Sequence, residues 1–325
     1  MMAGSAQPVL EAVDVVKSYG KVRALRGVSL SAQAGEVLGV IGPNGAGKTT
    51  LMTLIAGLTE PDHGSLTIGG MDLRRNQQRC RAQLGYAPQE LGIYPSLSVH
   101  RNLTTMAELY GLPRRVAAER ASEVGTALGL GGLLDRQASK LSGGEKRRLH
   151  AGMAMTHRPP LLLLDEPTAG VDTETRAQLL DYVTWLARVG TAVLYTSHYL
   201  PEVEQIADRV AVLGGGRVLA QGVADQVIAR YSHGYVQLVF ASEPASLPPL
   251  DQASIDGGTV TIPSDQPFDL APRVLSQLGD RREQLTSVRV VPANLEDAYR
   301  NALASVTAPA TTAGRVDVPA HGVRP

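Results

Sequence analysis

The sequence lacks the features that mark secreted, membrane-spanning or nucleic-acid-binding chains. Cys80 is the only cysteine among 325 residues, which excludes an internal disulfide and a cysteine-rich metal site and fits a reducing compartment. Lys and Arg number 31, and Asp and Glu also number 31, so no net charge attracts nucleic acid or an anionic membrane. No apolar run approaches the roughly 18 to 20 residues of a membrane span, and MMAGSAQPVL lacks the pattern of a secretory leader. We therefore expect a cytoplasmic chain that works at a membrane only if a partner supplies the span.

Length and composition indicate one large domain followed by a smaller one. With 43% hydrophobic residues, the chain can bury a sizeable core. We expect a main α/β domain over 8–230, with a helical segment at about 91–160, and a small α/β appendage over 231–305. The final stretch, 306–325, is rich in Pro, Ala and Thr and has no apolar periodicity, which predicts disorder.

A glycine-rich loop at 42–50, GPNGAGKTT, is the strongest functional feature. It follows an apolar run at 37–41, typical of a buried strand, and precedes leucines at helical spacing. Glycines accept φ > 0 and close approach, so successive backbone N–H groups can converge on an anion. The loop therefore predicts a phosphate cradle. The predicted contacts are Gly42, Pro43, Asn44, Gly45, Ala46, Gly47, Lys48, Thr49 and Thr50.

The end of this loop supplies charge. A helix N-terminus contributes roughly +0.5 charge, too little for a triphosphate, so a full cation and a metal are expected. Lys48 provides the cation, and Thr49 is placed to offer its hydroxyl to Mg²⁺, as the pattern G-x-x-x-x-G-K-[ST] predicts. The alternative, a turn with a surface lysine, leaves the strand before it and the helix after it unexplained.

Acidic residues end a second buried strand. Four leucines at 161–164 are followed by Asp165 and Glu166, and open α/β sheets bind ligands beyond the carboxyl ends of their strands. Asp165 suits Mg²⁺, and Glu166 suits orienting or deprotonating a water molecule. The alternative is that both acids only cap the following helix.

Three single residues carry weaker signals. His198 follows a strand at 191–196 and could hydrogen-bond a γ-phosphate or a positioned water. Gln89 follows a strand at 84–87, and its amide could reach a metal-bound water. Tyr19 lies in a turn, where it could stack on a nucleotide base or be an ordinary edge tyrosine.

A second serine-glycine helix start lies within KLSGGEKRR. Ser142, Gly143 and Gly144 precede helically spaced apolar residues, and a helix N-terminus can bind phosphate oxygens. Taken alone, the pattern favours a plain helix cap over a phosphate site, since capped helices often begin with Ser and Gly.

In chain order these motifs resemble those of the ATP-binding cassette (ABC) ATPases over roughly 9–221. GPNGAGKTT resembles their Walker A motif, LSGGE their signature motif, LLLLDEP their Walker B motif and AGVD a variant of their D-loop. Gln89 and His198 match the Q-loop and the switch histidine, and Tyr19 matches the adenine-stacking aromatic. The combination is far more specific than a Walker A motif alone.

The resemblance implies a P-loop fold with a RecA-like α/β core, an N-terminal antiparallel β subdomain and a helical subdomain. It also implies that ATP lies between two cassettes, the Walker A loop of one facing LSGGE of the other. Ser142, with the two glycines after it, would contact the γ-phosphate in the partner's site. Asp172 would couple the paired sites, although residues 169–171 before it differ from the serine-alanine-leucine sequence that is commoner in this family. The implied catalytic residues are Glu166, His198 and Lys48, and the implied Mg²⁺ contacts are Thr49, Gln89 and Asp165.

A second resemblance concerns the appendage. ANLEDAYRNAL resembles the closing helix of cassette ATPases that serve bacterial type-2 exporters of drugs, antibiotics, polysaccharides or sodium. We therefore expect an ATPase that pairs with a second copy and powers a separate integral-membrane permease for export, at the inner face of the cell membrane.

Two alternatives to an export ATPase stay open. An import ATPase shares every catalytic motif, and only the appendage speaks against it. A soluble cassette acting on ribosomes or DNA would usually carry paired cassettes, a long coiled coil or a strongly basic surface. None of these is visible in the sequence, so no nucleic acid is expected as a partner.

Overall fold

The computed structural model describes residues 7–243 and 252–307, and strands and helices alternate through most of them. The first part contains β1 (Leu10–Tyr19), β2 (Val22–Ala32), β3 (Val37–Ile41), α1 (Lys48–Ile55), β4 (His63–Ile68), β5 (Met71–Asp72), α2 (Gln77–Ala82) and β6 (Leu84–Ala87). The middle part contains α3 (Val99–Leu109), α4 (Arg114–Ala127), α5 (Gly143–Met155), β7 (Leu161–Asp165), α6 (Thr173–Arg188), β8 (Ala192–Thr196), α7 (Leu200–Ile206), β9 (Arg209–Gly214), β10 (Arg217–Val223) and α8 (Ala224–Tyr231). The last part contains β11 (Gly234–Phe240), β12 (Ser254–Asp256), β13 (Thr259–Ser264), α9 (Pro267–Leu278), β14 (Leu285–Val291) and α10 (Leu295–Thr307).

Two sheets form the body of the main domain. An antiparallel sheet has the order β2-β1-β4-β5, and a six-stranded sheet has the order β10-β9-β3-β8-β7-β6. In the second sheet the neighbours from β9 to β6 are parallel, and β10 joins β9 as an antiparallel edge. The predicted α/β class, with a parallel core and an N-terminal antiparallel sheet, is confirmed.

The central strands β3, β7 and β8 are buried along their whole length. Parallel sheets are covered on both faces, which is why these strands are continuously apolar rather than alternating. One hydrophobic cluster packs α1 and the antiparallel sheet against one face, and a second packs the helices of the middle part against the other. Because the strands are parallel, the chain leaves them at a common edge, where Ile41, Asp165 and Thr196 come together.

The helical segment predicted at about 91–160 is present as α3, α4 and α5. Ser98 begins α3 as predicted, because its hydroxyl accepts the N–H of Arg101 at 3.1 Å. At α5, Ser142 and Glu145 form a reciprocal capping box, which satisfies two N–H groups that a helix start otherwise leaves without partners. Two other helices, α7 and α8, were not predicted from the sequence.

The strands predicted in the appendage are present as β11, β13 and β14. With β12, which was not predicted, they form an antiparallel sheet in the order β12-β13-β11-β14, packed against α9. Along β11 the buried residues are every second one, starting at Gly234, which is the alternation of a sheet covered on one face. Its core is separate from those of the main domain and includes Val236, Leu238 and Val274.

The closing helix α10 follows the appendage in sequence but packs on the main domain. Leu295 and Ala302 belong to the main-domain cluster, at 0% and 1% exposure. The N–H of Leu295 donates to Glu204 on α7 at 3.2 Å, and the amide of Asn301 donates to the carbonyl of Tyr231 at 2.8 Å. The chain therefore leaves the main domain for the small sheet and then returns to it.

Two further findings concern membrane-spanning helices and the C-terminal tail. No helix within 7–243 and 252–307 has the length and apolar character needed to cross a bilayer. The tail predicted to be disordered, 306–325, lies outside the described residues from position 308 onward.

Candidate nucleotide-binding site

The glycines of the 42–50 loop are required by its shape. Gly47 has φ +107°, and a Cβ there would lie 2.6 Å from Leu25 Cδ2 and 2.7 Å from the carbonyl of Ala24. A Cβ at Gly42 would lie 2.5 Å from the carbonyl oxygen of Leu213. Both positions exclude side chains because of backbone neighbours, which cannot move aside as the end of a flexible side chain can.

The loop encloses the ammonium group of Lys48. This residue is 7% exposed, and its Nζ donates to the carbonyls of Gly42 at 2.6 Å and Pro43 at 3.2 Å. Burial lowers the pKa of Lys48, while the carboxylates of Glu166 and Asp165 oppose that shift. The cation is therefore held at the centre of the loop, next to the acids of β7.

A cleft of about 760 Å³ opens over this loop. Tyr19, which is 48% exposed, lies on its wall together with Gln89 and Glu166. Several other residues on its wall were not predicted from the sequence. These are Lys21, Arg23 and Arg26 from the first hairpin and Gly215 and Gly216 from the β9–β10 turn. Four cations including Lys48 thus line a space bounded by an aromatic ring, which suits a nucleotide that carries several phosphates.

Asp165 has one oxygen satisfied and one free within the described part of the chain. Its Oδ1 accepts the hydroxyl of Thr196 at 2.6 Å, and its Oδ2 is buried without a hydrogen-bond partner. A buried carboxylate oxygen without a donor is costly unless a cation or water meets it. The described residues contain no cluster of three or more His, Cys, Asp or Glu side chains suited to a metal. This donor set fits Mg²⁺, which proteins often hold with one or two carboxylates together with substrate phosphates.

Glu166 contacts two other residues that the sequence predicted for the site, Gln89 and His198. Its Oε2 lies 3.2 Å from the amide nitrogen of Gln89 and 3.2 Å from Nδ1 of His198. Its backbone has φ +50°, which costs a non-glycine residue about 1 kcal/mol. The N–H of Glu166 donates to the carbonyl and hydroxyl oxygens of Thr196, each at 3.1 Å. The structure therefore brings the loops after β6, β7 and β8 together at a single carboxylate.

A hydrogen bond that connects this group of residues to the helical segment was not predicted from the sequence. Arg147, on α5, donates through its guanidinium to the carbonyl of Gln89. The side chain of Gln89 contacts Glu166 while its backbone is held by a helix that begins at Ser142. Nothing in the local sequence around Arg147 indicates this contact, because the two residues are 58 positions apart.

The residues of the LSGGE motif lie outside the cleft. The Ser142 hydroxyl accepts the N–H of Glu145 at 3.2 Å, and a Cβ at Gly143 would have no heavy atom within 4 Å. Val171 lies beside Gly144, with its Cγ1 3.8 Å from where a Cβ would stand. Within this chain, the second helix start is therefore exposed and separate from the first.

Asp172 also lies outside the cleft and begins α6. Its carboxylate accepts the N–H of Thr175 at 2.9 Å and the hydroxyl of Thr175 at 2.7 Å. These two hydrogen bonds hold the pKa of Asp172 below its usual value. In this chain the residue acts as a helix cap next to the exposed signature motif.

Comparison with known proteins agrees with this geometry. Residues 25–169 match the ABC transporter family. The linearmycin resistance ATP-binding protein LnrL of Bacillus subtilis is 39% identical over 68% of this chain and 71% of its own length. The Nod factor export ATP-binding protein I of Rhizobium etli is 31% identical over 88% of this chain and 90% of its own length. A solved structure of the ATP-binding subunit of an ABC transporter superposes with a TM-score of 0.64 at 30% identity, covering 69% of this chain and 93% of that one.

The fold and cleft thus define an ATP-binding cassette that hydrolyses its nucleotide. The chain belongs to the ABC transporter family, as one of its ATP-binding subunits.

Proposed function

We propose that this chain binds Mg²⁺·ATP in the cleft over 42–50, pairs with a second copy on binding and powers a membrane permease. The observation that carries the proposal is the split between the two phosphate-binding helix starts. The cleft holds Lys48, Gln89 and Glu166 but no residue of the LSGGE motif, whose Ser142 is exposed on another part of the surface. A second copy that presents its own Ser142 would complete the site.

Within each site, the residues divide between binding and hydrolysis. Lys48 and the loop N–H groups hold the phosphates, and Tyr19 stacks on the base. Glu166 accepts a proton from, or orients, the attacking water. His198, at 3.2 Å from Glu166, contacts the γ-phosphate side. When bound, Mg²⁺ supplies positive charge to the phosphates. It would be held by Thr49 and Asp165, with Gln89 beside it.

Export through a separate permease is supported by the names of the relatives. The two described above are a resistance protein and an export protein, and the second aligns over most of this chain, which places part of the appendage within the shared region. The chain would then act at the inner face of the cell membrane, held by its permease. Import is the second candidate, since it needs the same catalytic residues.

Complementation tests whether the site is shared between copies. Lys48→Ala removes the loop cation, and Ser142→Ala removes the signature hydroxyl, so each variant alone should have little ATPase activity. A mixed dimer has one site with both defects and one site with neither. ATPase activity should therefore recover on mixing, up to about half that of wild type. No recovery, with both variants shown to form mixed dimers, would contradict a shared site.

Glu166→Gln tests the assignment of the base. The amide keeps the shape of the side chain but cannot take a proton, so the variant should bind ATP, form a stable dimer with Mg²⁺·ATP and hydrolyse at least about 100-fold more slowly. Size-exclusion chromatography with ATP and with ADP measures the dimer. An ATPase rate equal to that of wild type would refute the assignment.

Fractionation of cells tests the partner. We expect the native chain to sediment with membranes and to co-purify with a protein that has several apolar spans. Recovery with ribosomes or nucleic acid instead would reject the transporter proposal.

A further inference from the structure

A buried carboxylate joins the loop that carries Glu166 to the loop that carries His198. Glu202, in the first turn of α7, is 2% exposed. Its Oε1 accepts the hydroxyl of Thr168 at 2.8 Å and also the hydroxyl of Ser197. Thr168 lies two residues after Glu166, and Ser197 immediately precedes His198. One oxygen atom is therefore the common acceptor for both catalytic loops.

The second carboxylate oxygen of Glu202, Oε2, is only weakly paired. Oε2 has no hydrogen-bond partner within the described residues, and its neighbouring cation, Arg176, has its Nε at 3.7 Å. Arg176 also stacks over the ring of Tyr199, 4.5 Å from the centroid. The hydroxyl of buried Tyr195 lies 3.5 Å from Oγ1 of Thr168. A buried carboxylate this weakly paired gains little as an ion pair, whereas its Oε1 makes two close contacts.

The loop after β7 needs such a restraint. Glu166 has φ +50°, and a strained conformation of this kind persists only where its surroundings hold it. The N–H of Glu166 is held by Thr196 on one side, and Thr168 is held by Glu202 on the other. Ser197 completes the restraint, since its Oγ also accepts the N–H of Tyr199 at 2.9 Å.

We propose that Glu202 is a positioning residue for ATP hydrolysis, which fixes the loop of Glu166 relative to the loop of His198. By holding Thr168 and Ser197 on one oxygen, it sets the 3.2 Å separation of Glu166 Oε2 and His198 Nδ1. Glu202 does not line the nucleotide cleft, so it acts on the hydrolytic step and not on ATP binding. The inference rests on the proposed roles of Glu166 and His198.

Two substitutions of Glu202 separate its acceptor role from its charge. Glu202→Ala removes the common acceptor and should lower kcat at least about tenfold, because a displacement of about 1 Å in a catalytic group can cost up to 100-fold. The KM for ATP should stay within about twofold. Glu202→Gln keeps an oxygen at the Oε1 position and loses only the atom without a hydrogen bond, so its kcat should stay within about threefold of wild type. Loss of activity in both variants alike would overturn the proposal.

A matched control addresses loss of stability. Glu36 is also buried, accepts the N–H of Gln33 at 2.7 Å and pairs with Arg209 at 3.0 Å, but it precedes β3 at the opposite end of the strand from the 42–50 loop. Glu36→Ala should lower the thermal unfolding midpoint and leave kcat, measured well below that midpoint, near that of wild type. If Glu36→Ala and Glu202→Ala lower kcat equally at equal loss of midpoint, Glu202 is only a structural residue.

Two single-arm variants, each lacking one of the two hydroxyls that donate to Glu202, keep the proposal testable even if Glu202→Ala does not fold. Thr168→Val and Ser197→Ala each remove one hydroxyl, and each should lower kcat without raising the KM for ATP. In a folded Glu202→Ala background neither should lower kcat further, because the shared acceptor is already gone. Full kcat in both single-arm variants, or additive losses, would contradict the proposal.

Measuring the ATPase rates of Glu166→Gln and Glu202→Ala side by side distinguishes a failure of this inference from a failure of the proposed function. If Glu166→Gln hydrolyses ATP at the wild-type rate, the assignment of the base fails. If it is inactive while Glu202→Ala keeps wild-type kcat, only the positioning role fails.

Discussion

The chain contains two glycine-rich helix starts with similar local chemistry and opposite surroundings. At 42–50 the helix start is enclosed: Lys48 is buried, and Gly42 and Gly47 face backbone oxygens at less than 3 Å from where a Cβ would stand. At 142–144 the helix start is exposed, and a Cβ at Gly143 would meet nothing within 4 Å. The first is therefore arranged to surround a ligand within one chain, whereas the second is open at the surface, as the proposal of a site completed by a second copy requires.

The largest effect that tests this comparison is expected from Lys48→Ala. The variant removes the enclosed cation, and a lost hydrogen bond to a charged group costs about 1.5 to 3 kcal/mol. We therefore expect ATP affinity to fall about 100-fold, as measured by equilibrium binding of a fluorescent ATP analogue. Lys146, near the second helix start, is the control: Lys146→Ala should leave the affinity of the monomer unchanged. Equal losses in the two variants would remove the distinction between the sites.

A smaller effect is expected from adding one methyl group at each helix start. Gly47→Ala forces a side chain onto φ +107° against Ala24 and Leu25, which costs at least about 1 to 2 kcal/mol. It should weaken ATP binding roughly tenfold or more. Gly143→Ala should leave ATP binding by the monomer unchanged, because the space there is open. If Gly143→Ala weakened monomer binding as much as Gly47→Ala, the second site would not be independent of the first.

The smallest effect is expected for the adenine base, which we propose stacks on Tyr19 at the first site. Tyr19 is half exposed on the wall of the cleft, so Tyr19→Ala should weaken ATP binding about fivefold, near the lower end of the stacking contribution of about 1 to 3 kcal/mol. Tyr19→Phe keeps the ring and should bind ATP like wild type. Competition by ATP and by inorganic triphosphate measures the difference. A loss seen equally for triphosphate would mean that Tyr19 does not contact the base.

Local sequence patterns were sufficient to predict most strands, the phosphate loop at 42–50 and most helices. The apolar run before Gly42, the four leucines before Asp165 and the serines before α3 and α5 each specify an element through neighbours in sequence. The same patterns predicted that Gln89, Glu166 and His198 follow strand ends, and the structure places Gln89 and His198 each 3.2 Å from the carboxylate of Glu166. Their individual roles in catalysis stay predictions.

The parts that could not be predicted depend on distant contacts. Arg147 meets Gln89 across 58 positions, and α10 returns to α7 across 91 positions. That closing helix was predicted as part of the appendage, whereas its apolar residues Leu295 and Ala302 lie in the main-domain core. An amphipathic helix specifies that it needs an apolar surface, but not which one.

Residue types at short, fixed spacing were enough to identify the phosphate loop, the signature helix start and the family. The residues that contact the loops after β7 and β8, by contrast, could be found only from long-range packing. Thr168 and Glu202 are 34 positions apart and meet because β7 and β8 are neighbours and α7 follows β8. A hydroxyl and a carboxylate are common on any surface, and they acquire a role only where packing buries them within hydrogen-bond distance.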